Sequence, residues 1–190
     1  LVASVTLDTT GVERCLGRDA LEELVVGSAD VLARCQAGER RYANSLGWLD
    51  VDEWAGKGVL ERTERLAERI RGRTDTFVVI GVGGSNNASR AVVRALEPDG
   101  CRMAWAGNTL SAYQLGRVLE SLEGRDVTIC CIAKNFETLE PGSSFRLLRQ
   151  WLVGRLGATE AARRIVCCGT PGGALESLAR GQGYEFVPFA

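Results

Sequence analysis

The chain has 190 residues, of which 45% are hydrophobic, 25% charged and 6% aromatic, a size that suits one globular domain with an appendage and a substantial buried core. Its 23 basic and 24 acidic side chains leave a net charge of −1, which speaks against a nucleic-acid coat or a membrane-surface binder, and its apolar runs fall far short of the ~20 residues that cross a bilayer. There is no histidine, so His-based metal sites, Ser-His-Asp or Cys-His catalysis and histidine proton shuttles are excluded within the chain.

Seven cysteines, no C-x-x-C pair and no signal-peptide pattern argue against a disulfide scaffold and point to a reducing compartment, most simply the cytoplasm. The doublets Cys130-Cys131 and Cys167-Cys168 lie in apolar stretches and read as small buried hydrophobes in strands.

Along the chain, residues 1–56 are the least regular and read as a helical or irregular extension. Leu1 to Leu7 has a weak alternation that suggests a short strand. Leu21, Leu24, Val25, Ala29 and Leu32 recur at helical spacing and predict a helix from Asp19 to about Gly38. Ser45 to Asp50 is a turn-like connector with large apolar groups, in which Trp48, like Trp54 just beyond it, reads as a packing anchor. An amphipathic helix follows over Lys57–Arg73, with Val59, Thr63, Leu66, Ala67 and Ile70 on one face.

From Phe77 the pattern changes. Apolar β-forming runs at Phe77–Val82, Arg102–Ala106, Val127–Ala133, Ile165–Cys168 and Tyr184–Val187 alternate with helical stripes. The stripes are Ala88 to Leu96, Leu115 to Leu122, Phe145 to Leu156 and Ala174 to Leu178. Nearly continuous apolar strands between helices predict an α/β fold: a three-layer αβα sandwich over residues 57–190, with a five-stranded parallel sheet in the flavodoxin-like order 2-1-3-4-5.

In such a sheet, ligands bind beyond the carboxyl ends of the strands, where the strand order switches. Two loops there carry chemistry. Gly81-Val-Gly-Gly-Ser-Asn-Asn87 follows the first strand, and glycines let backbone N–H groups approach an anion at a helix N-terminus. Gly84 and Ser85 are the leading candidates, with Asn86 as a further donor; the plain alternative is a tight turn with Ser85 or Asn86 as helix cap. A dinucleotide fingerprint fails because Asn86 stands where the third glycine belongs and no acidic residue ends the second strand, and the Walker A pattern is missing too. Ala133-Lys-Asn-Phe-Glu-Thr138 follows the third strand and offers a cation (Lys134), an amide (Asn135) and a hydroxyl (Thr138). The alternative there is a solvated loop with Thr138 or Glu140 as cap and Pro141 at the first helical position. In the 2-1-3-4-5 order these two loops are neighbours, so both helix N-termini would face one small anion. Asn108 to Ser111 reads as an N-cap and Thr170-Pro-Gly-Gly173 as a turn.

At these residues the chain resembles the N-terminal sugar-isomerase (SIS) domain of the glucose-6-phosphate isomerase family. The stretches that carry the resemblance are Leu46–Asp50, Val79–Ser85, Gly107-Asn108, Leu122–Asp126, Lys134–Thr138, Glu140-Pro141, Phe145-Arg146 and Gly183-Tyr184. The resemblance implies a phosphosugar ligand, glucose 6-phosphate or fructose 6-phosphate, held by Gly84, Ser85, Lys134, Asn135 and Thr138. It implies aldose–ketose isomerisation in glycolysis and gluconeogenesis, no cofactor or metal, a homodimer, and no nucleic-acid or membrane partner. It also implies that the glutamate base, the ring-opening histidine and a further lysine and arginine come from a later part of the chain or a partner subunit, so that this piece by itself is inactive and the chain is the first domain of a longer enzyme.

Three positions depart from the family pattern: Ala133 replaces a serine, Glu137 replaces a threonine, and Asn86-Asn87-Ala88 replaces an aromatic or acidic, leucine and glycine run. A carboxylate ~4 Å from a phosphate would cost about 4 kcal/mol per charge pair at an effective dielectric of 20. Glu137 therefore points away, or weakens the site, or signals a different ligand. Ala133 and Glu137 favour the alternative function, a non-catalytic SIS module that binds a phosphosugar for regulation or subunit pairing.

Overall fold

The computed structural model describes residues 6–39, 55–96 and 100–189. The proposed strand at the N-terminus lies outside them but for its last two residues, which are not in a strand, and Trp48, Trp54 and the Leu46–Asp50 motif also lie outside. The chain divides into two compact units, residues 1–56 and 57–190.

In the first unit the described residues form three short helices, α1 (Thr10–Leu16), α2 (Arg18–Gly27) and α3 (Val31–Gln36). The helix expected from Asp19 to about Gly38 is thus two helices broken at Ser28–Asp30. Gly27, Ser28 and Asp30 are poor helix-interior residues, and their backbone cost exceeds what an apolar stripe recovers on helices with no buried residue. Helix α1 lacked the apolar period that would have predicted it.

The second unit begins with α4 (Lys57–Arg71), followed by β1 (Thr76–Ile80), α5 (Gly84–Leu96), β2 (Arg102–Ala106), α6 (Ala112–Ser121), β3 (Val127–Ala133), α7 (Leu139–Leu156), α8 (Ala158–Arg163), β4 (Ile165–Gly169), α9 (Ala174–Gln182) and β5 (Glu185–Pro188). The five strands form one parallel sheet in the order β2-β1-β3-β4-β5. This is the flavodoxin-like α/β sandwich that the strand and helix periods predict.

Alternation along the strands assigns the two faces. Val78, Ile80, Ile129, Cys131, Ile165 and Cys167 pack with Leu115 and Val118 of α6, Phe145, Leu148 and Leu152 of α7, and Leu175 and Ala179 of α9. Cys130, Ile132 and Val166 face the other way, against Leu66 and Ile70 of α4. The larger core holds Leu148 and Ile129 at 0% exposure. Both cysteine doublets sit in these strands as expected: Cys130, Cys131 and Cys167 are buried and Cys168 is half-buried. Burial pushes the Cys168 thiol up to about 11 and the Cys167 thiol up to about 12, because an apolar surround penalises the thiolate.

Two cap assignments are refined. Ser111 caps α6, its hydroxyl accepting from the Gln114 amide at 3.3 Å. Pro141 is the third residue of α7 rather than the first; it remains in the first turn, where the N–H that proline lacks has no intrahelical partner.

Candidate functional site

β1 pairs with β3 in a register that sets Ile80 beside Cys131, so the loops leaving both strands emerge side by side. Gly81 is the contact point. A Cβ placed there would lie 3.0 Å from the Ser85 Cβ and 3.2 Å from the Ile132 carbonyl oxygen. A larger residue would therefore wedge the first turn of α5 away from β3, and glycine lets Ser85 fold down over the strand end.

Gly83 takes φ +57°, which turns the chain into α5. The amides of Asn86 and Asn87 bond to the Gly83 carbonyl, which leaves the N–H groups of Gly84 and Ser85 as the unpaired pair at this helix N-terminus among the described residues. Nothing within 4 Å would meet a Cβ on Gly84, so its backbone faces open space. Ser85 is half-buried.

Asn86 does something different from the donor role expected of it. It is 0% exposed and its Nδ2 donates to the Ala106 carbonyl at 3.2 Å, which ties α5 to the end of β2. Its side chain is committed to the core and does not serve an anion over the loop.

In the β3 loop, Lys134 and Asn135 are exposed, Glu137 is exposed and Thr138 is half-buried. The Asn135 Oδ1 accepts from the Glu137 amide at 3.0 Å and the Asn135 carbonyl accepts from the Thr138 amide at 3.3 Å, which folds the loop into a turn. The Asn135 Nδ2 keeps its donor capacity. Thr138 occupies the N-cap position of α7, but its side chain makes no cap hydrogen bond, so its hydroxyl is free for other use. The α7 amides of Leu139 and Glu140 are unpaired among the described residues.

A cavity of about 410 Å3 opens on the other side of this loop, toward β4. Lys134, Asn135 and Glu137 line it together with Thr170, Gly172 and Gly173; Gly84, Ser85 and Thr138 are not among its lining residues. Glu137 thus shares a wall with Lys134, and neither is in an ion pair with another described residue. Thr170 donates its hydroxyl to the Lys134 carbonyl at 3.1 Å and fixes the base of the loop. Reading Thr170–Gly173 as a turn missed this contribution. The signal was in the strand order: with β3 and β4 adjacent, the loop after β4 must flank the loop after β3.

No protein-family profile matches the chain. Among curated proteins, it is 39% identical over 154 residues to a glucose-6-phosphate isomerase of Symbiobacterium thermophilum, covering 75% of this chain and 34% of that protein. It is 34% identical over 151 residues to a glucose-6-phosphate isomerase of Heliobacterium modesticaldum, covering 73% and 34%. The chain spans about a third of the length of these relatives. Among solved structures, a hypothetical protein from Thermus thermophilus superposes with a TM-score of 0.71 at 24% identity, over 88% of this chain and 41% of that one. A glucose-6-phosphate isomerase from Chlamydia trachomatis superposes with a TM-score of 0.57 at 24% identity, over 67% of this chain and 25% of that one. At that identity the two structures speak to the fold.

Proposed function

This chain belongs to the glucose-6-phosphate isomerase family, and from that premise we propose that residues 57–190 hold the phosphate of a hexose 6-phosphate in a protein that interconverts glucose 6-phosphate and fructose 6-phosphate. The observation that carries the reading is the adjacency of two βα junctions, with Gly81 in contact range of both Ser85 and Ile132. In this reading the dianion meets the unpaired amides of Gly84 and Ser85 and the hydroxyls of Ser85 and Thr138, and the side chains of Lys134 and Asn135, which here line the neighbouring cavity toward β4, turn across the loop to reach it. The N-termini of α5 and α7 follow neighbouring strands, and each adds partial positive charge on its own side of the junction. Charge-assisted hydrogen bonds of this kind contribute about 1.5–3 kcal/mol each.

Isomerisation moves a proton between adjacent carbons through an enediol, which requires a carboxylate base and a group that opens the ring. The chain has no histidine, and among the described residues Glu137, beside Lys134 and Asn135, is the one carboxylate that lines the cavity between the β3 and β4 loops. The proton chemistry is therefore assigned to residues outside this unit, and the unit acts by anchoring the substrate's non-reacting end. Binding energy from that end orients the reacting carbons.

The test is an NMR titration of the chain with glucose 6-phosphate, with glucose as control. The amides of Gly84, Ser85, Lys134 and Thr138 shift with the phosphosugar and not with glucose, and Lys134→Met weakens binding about tenfold or more. Absence of any phosphosugar-dependent shift in large ligand excess refutes the binding reading.

A second reading, a non-catalytic SIS module that binds a phosphosugar for regulation or subunit pairing, is favoured by one feature. Glu137 lines the same cavity as Lys134, where a carboxylate opposes an anion. Phosphosugar binding without turnover of glucose 6-phosphate by the intact gene product decides for it.

A further inference from the structure

A second cavity, of about 300 Å3, lies at the carboxyl end of β2, on the far side of β1 from β3. Its walls come from four elements: Arg90 of α5, Trp105 at the end of β2 with Asn108 and Thr109 just after it, Gln114 in the first turn of α6, and Ser144 of α7. The chemistry of this wall is one-sided. Arg90 brings a positive charge, and no aspartate or glutamate lines the cavity among the described residues. Among the described residues Arg90 is in no ion pair; its guanidinium lies over the Trp105 ring, 5.2 Å from the centroid.

Donors without acceptors accumulate here. The Nε of Arg90 and the Nε1 of Trp105 are shielded and have no hydrogen-bond partner among the described residues. Ser144 is 3% exposed, lines the cavity, and its hydroxyl makes no hydrogen bond to another described residue. A half-buried guanidinium without a counter-charge is costly, and so is each shielded N–H left unpaired. A native fold retains such a group where an acceptor of opposite charge visits it. Gln114 belongs to the first turn of α6, so that helix dipole adds to the positive potential.

We propose that this cavity is a binding site for a small carboxylate- or phosphate-bearing anion, with Arg90 as the charge partner and Ser144, Asn108 and Gln114 as polar contacts. It adjoins the β1–β3 junction at Gly107 but is lined by none of Gly84, Ser85, Lys134, Asn135 and Thr138, and the proposal does not rest on the phosphosugar reading. Lys134 and Glu137 belong to the other cavity, which has a carboxylate in its wall; among the described residues the β2 cavity has none.

The experiment is a titration of the 15N-labelled chain at constant ionic strength, with inorganic phosphate in one arm and acetate in the other. The indole N–H of Trp105, assigned with Trp105→Phe, is the reporter. The expected result is a saturating shift of that indole resonance in at least one arm; the arm that saturates at lower concentration identifies the headgroup. Arg90→Gln is expected to weaken the anion at least tenfold, Arg90→Lys less, and Lys134→Met to leave the Trp105 response unchanged. An amide spectrum that overlays the parent's away from the cavity establishes that the Arg90 variants are folded. A linear response in both arms, an undiminished response in Arg90→Gln, or loss of the response in Lys134→Met overturns the proposal.

Discussion

Replacing Gly107 by alanine tests the packing on which the candidate site depends. Gly107 has φ +84°, and an added Cβ would stand 2.9 Å from the Gly81 nitrogen, 3.0 Å from the Ile80 Cγ2 and 3.1 Å from the Pro141 Cα. Two of those three atoms are backbone, one at the start of the β1 loop and one in the first turn of α7, so relief requires moving the elements that form the junction. The left-handed backbone costs an L-residue about 1–2 kcal/mol. Overpacking adds about 1–3 kcal/mol. The reduced freedom of the unfolded chain returns about 0.4–1 kcal/mol. The net loss is about 1–5 kcal/mol. Gly124 is the control: its φ is +72° and nothing lies within 4 Å of an added Cβ, so Gly124→Ala carries the backbone strain alone and loses about 0–1.6 kcal/mol, less than Gly107→Ala by the overpacking alone. Urea unfolding of both variants, with the slope checked against the parent, measures the difference. Equal losses in the two variants would mean that Gly107 is not wedged between β1 and α7, and the account of how the loops are brought together would fail.

Other outcomes follow from the same coordinates. Leu148, at 0% exposure, loses about 2–5 kcal/mol of stability on replacement by alanine, whereas its neighbour Leu147, at 49%, loses less than about 1 kcal/mol; similar midpoints in urea for the two variants would contradict the assigned face of α7. The Asp75 carboxyl is held below its ordinary range mainly by the hydrogen bond it accepts from the Thr76 hydroxyl at 2.7 Å. A group depressed in the folded state contributes stability above its unfolded pKa of 3.8 and loses it as pH falls through the lower folded value. Asp75→Asn is accordingly less stable than the parent at pH 6, and the gap narrows below about pH 4; a gap of the same size at pH 6 and pH 3 would dismiss the interaction. For thiol chemistry, exposed Cys15 reacts first with a disulfide reagent at pH 8, while Cys130, Cys131 and Cys167 react only on the timescale of unfolding; rapid labelling of those three in the native protein would refute their burial.

The order of strands and helices from Phe77 onward was legible because each element is long enough to state its own period. A strand buried on both faces needs an unbroken apolar run, as in Val127–Ala133, and a covering helix needs a stripe at three and four, as from Phe145 to Leu156. Gly157 and Gly124, both at positive φ, marked ends that local chemistry alone imposes. The parallel 2-1-3-4-5 sheet followed, and with it the adjacency of β1 and β3, the strands whose following loops carry Ser85 and Lys134. The first unit resisted the same reading because its helices bury no residue, so the stripe through Leu24 and Leu32 carried no packing to enforce continuity across Gly27–Asp30.

What the sequence could not decide was the direction of individual side chains near the site. Asn86 was identical on paper to any loop amide, and only the approach of the Ala106 carbonyl turned it into a buried tie between α5 and β2. Thr170 and Glu137 were assigned to the cavity beside Lys134 by the packing of β4 against β3, contacts between residues more than thirty positions apart in the chain. The unpaired Arg90 and Trp105 donors arise in the same way, from a helix laid across an edge strand. Periodicity reports which face of an element is apolar, because burial acts on every turn. Which polar atoms meet is set by a few long-range approaches, and those exist only once the sheet has closed.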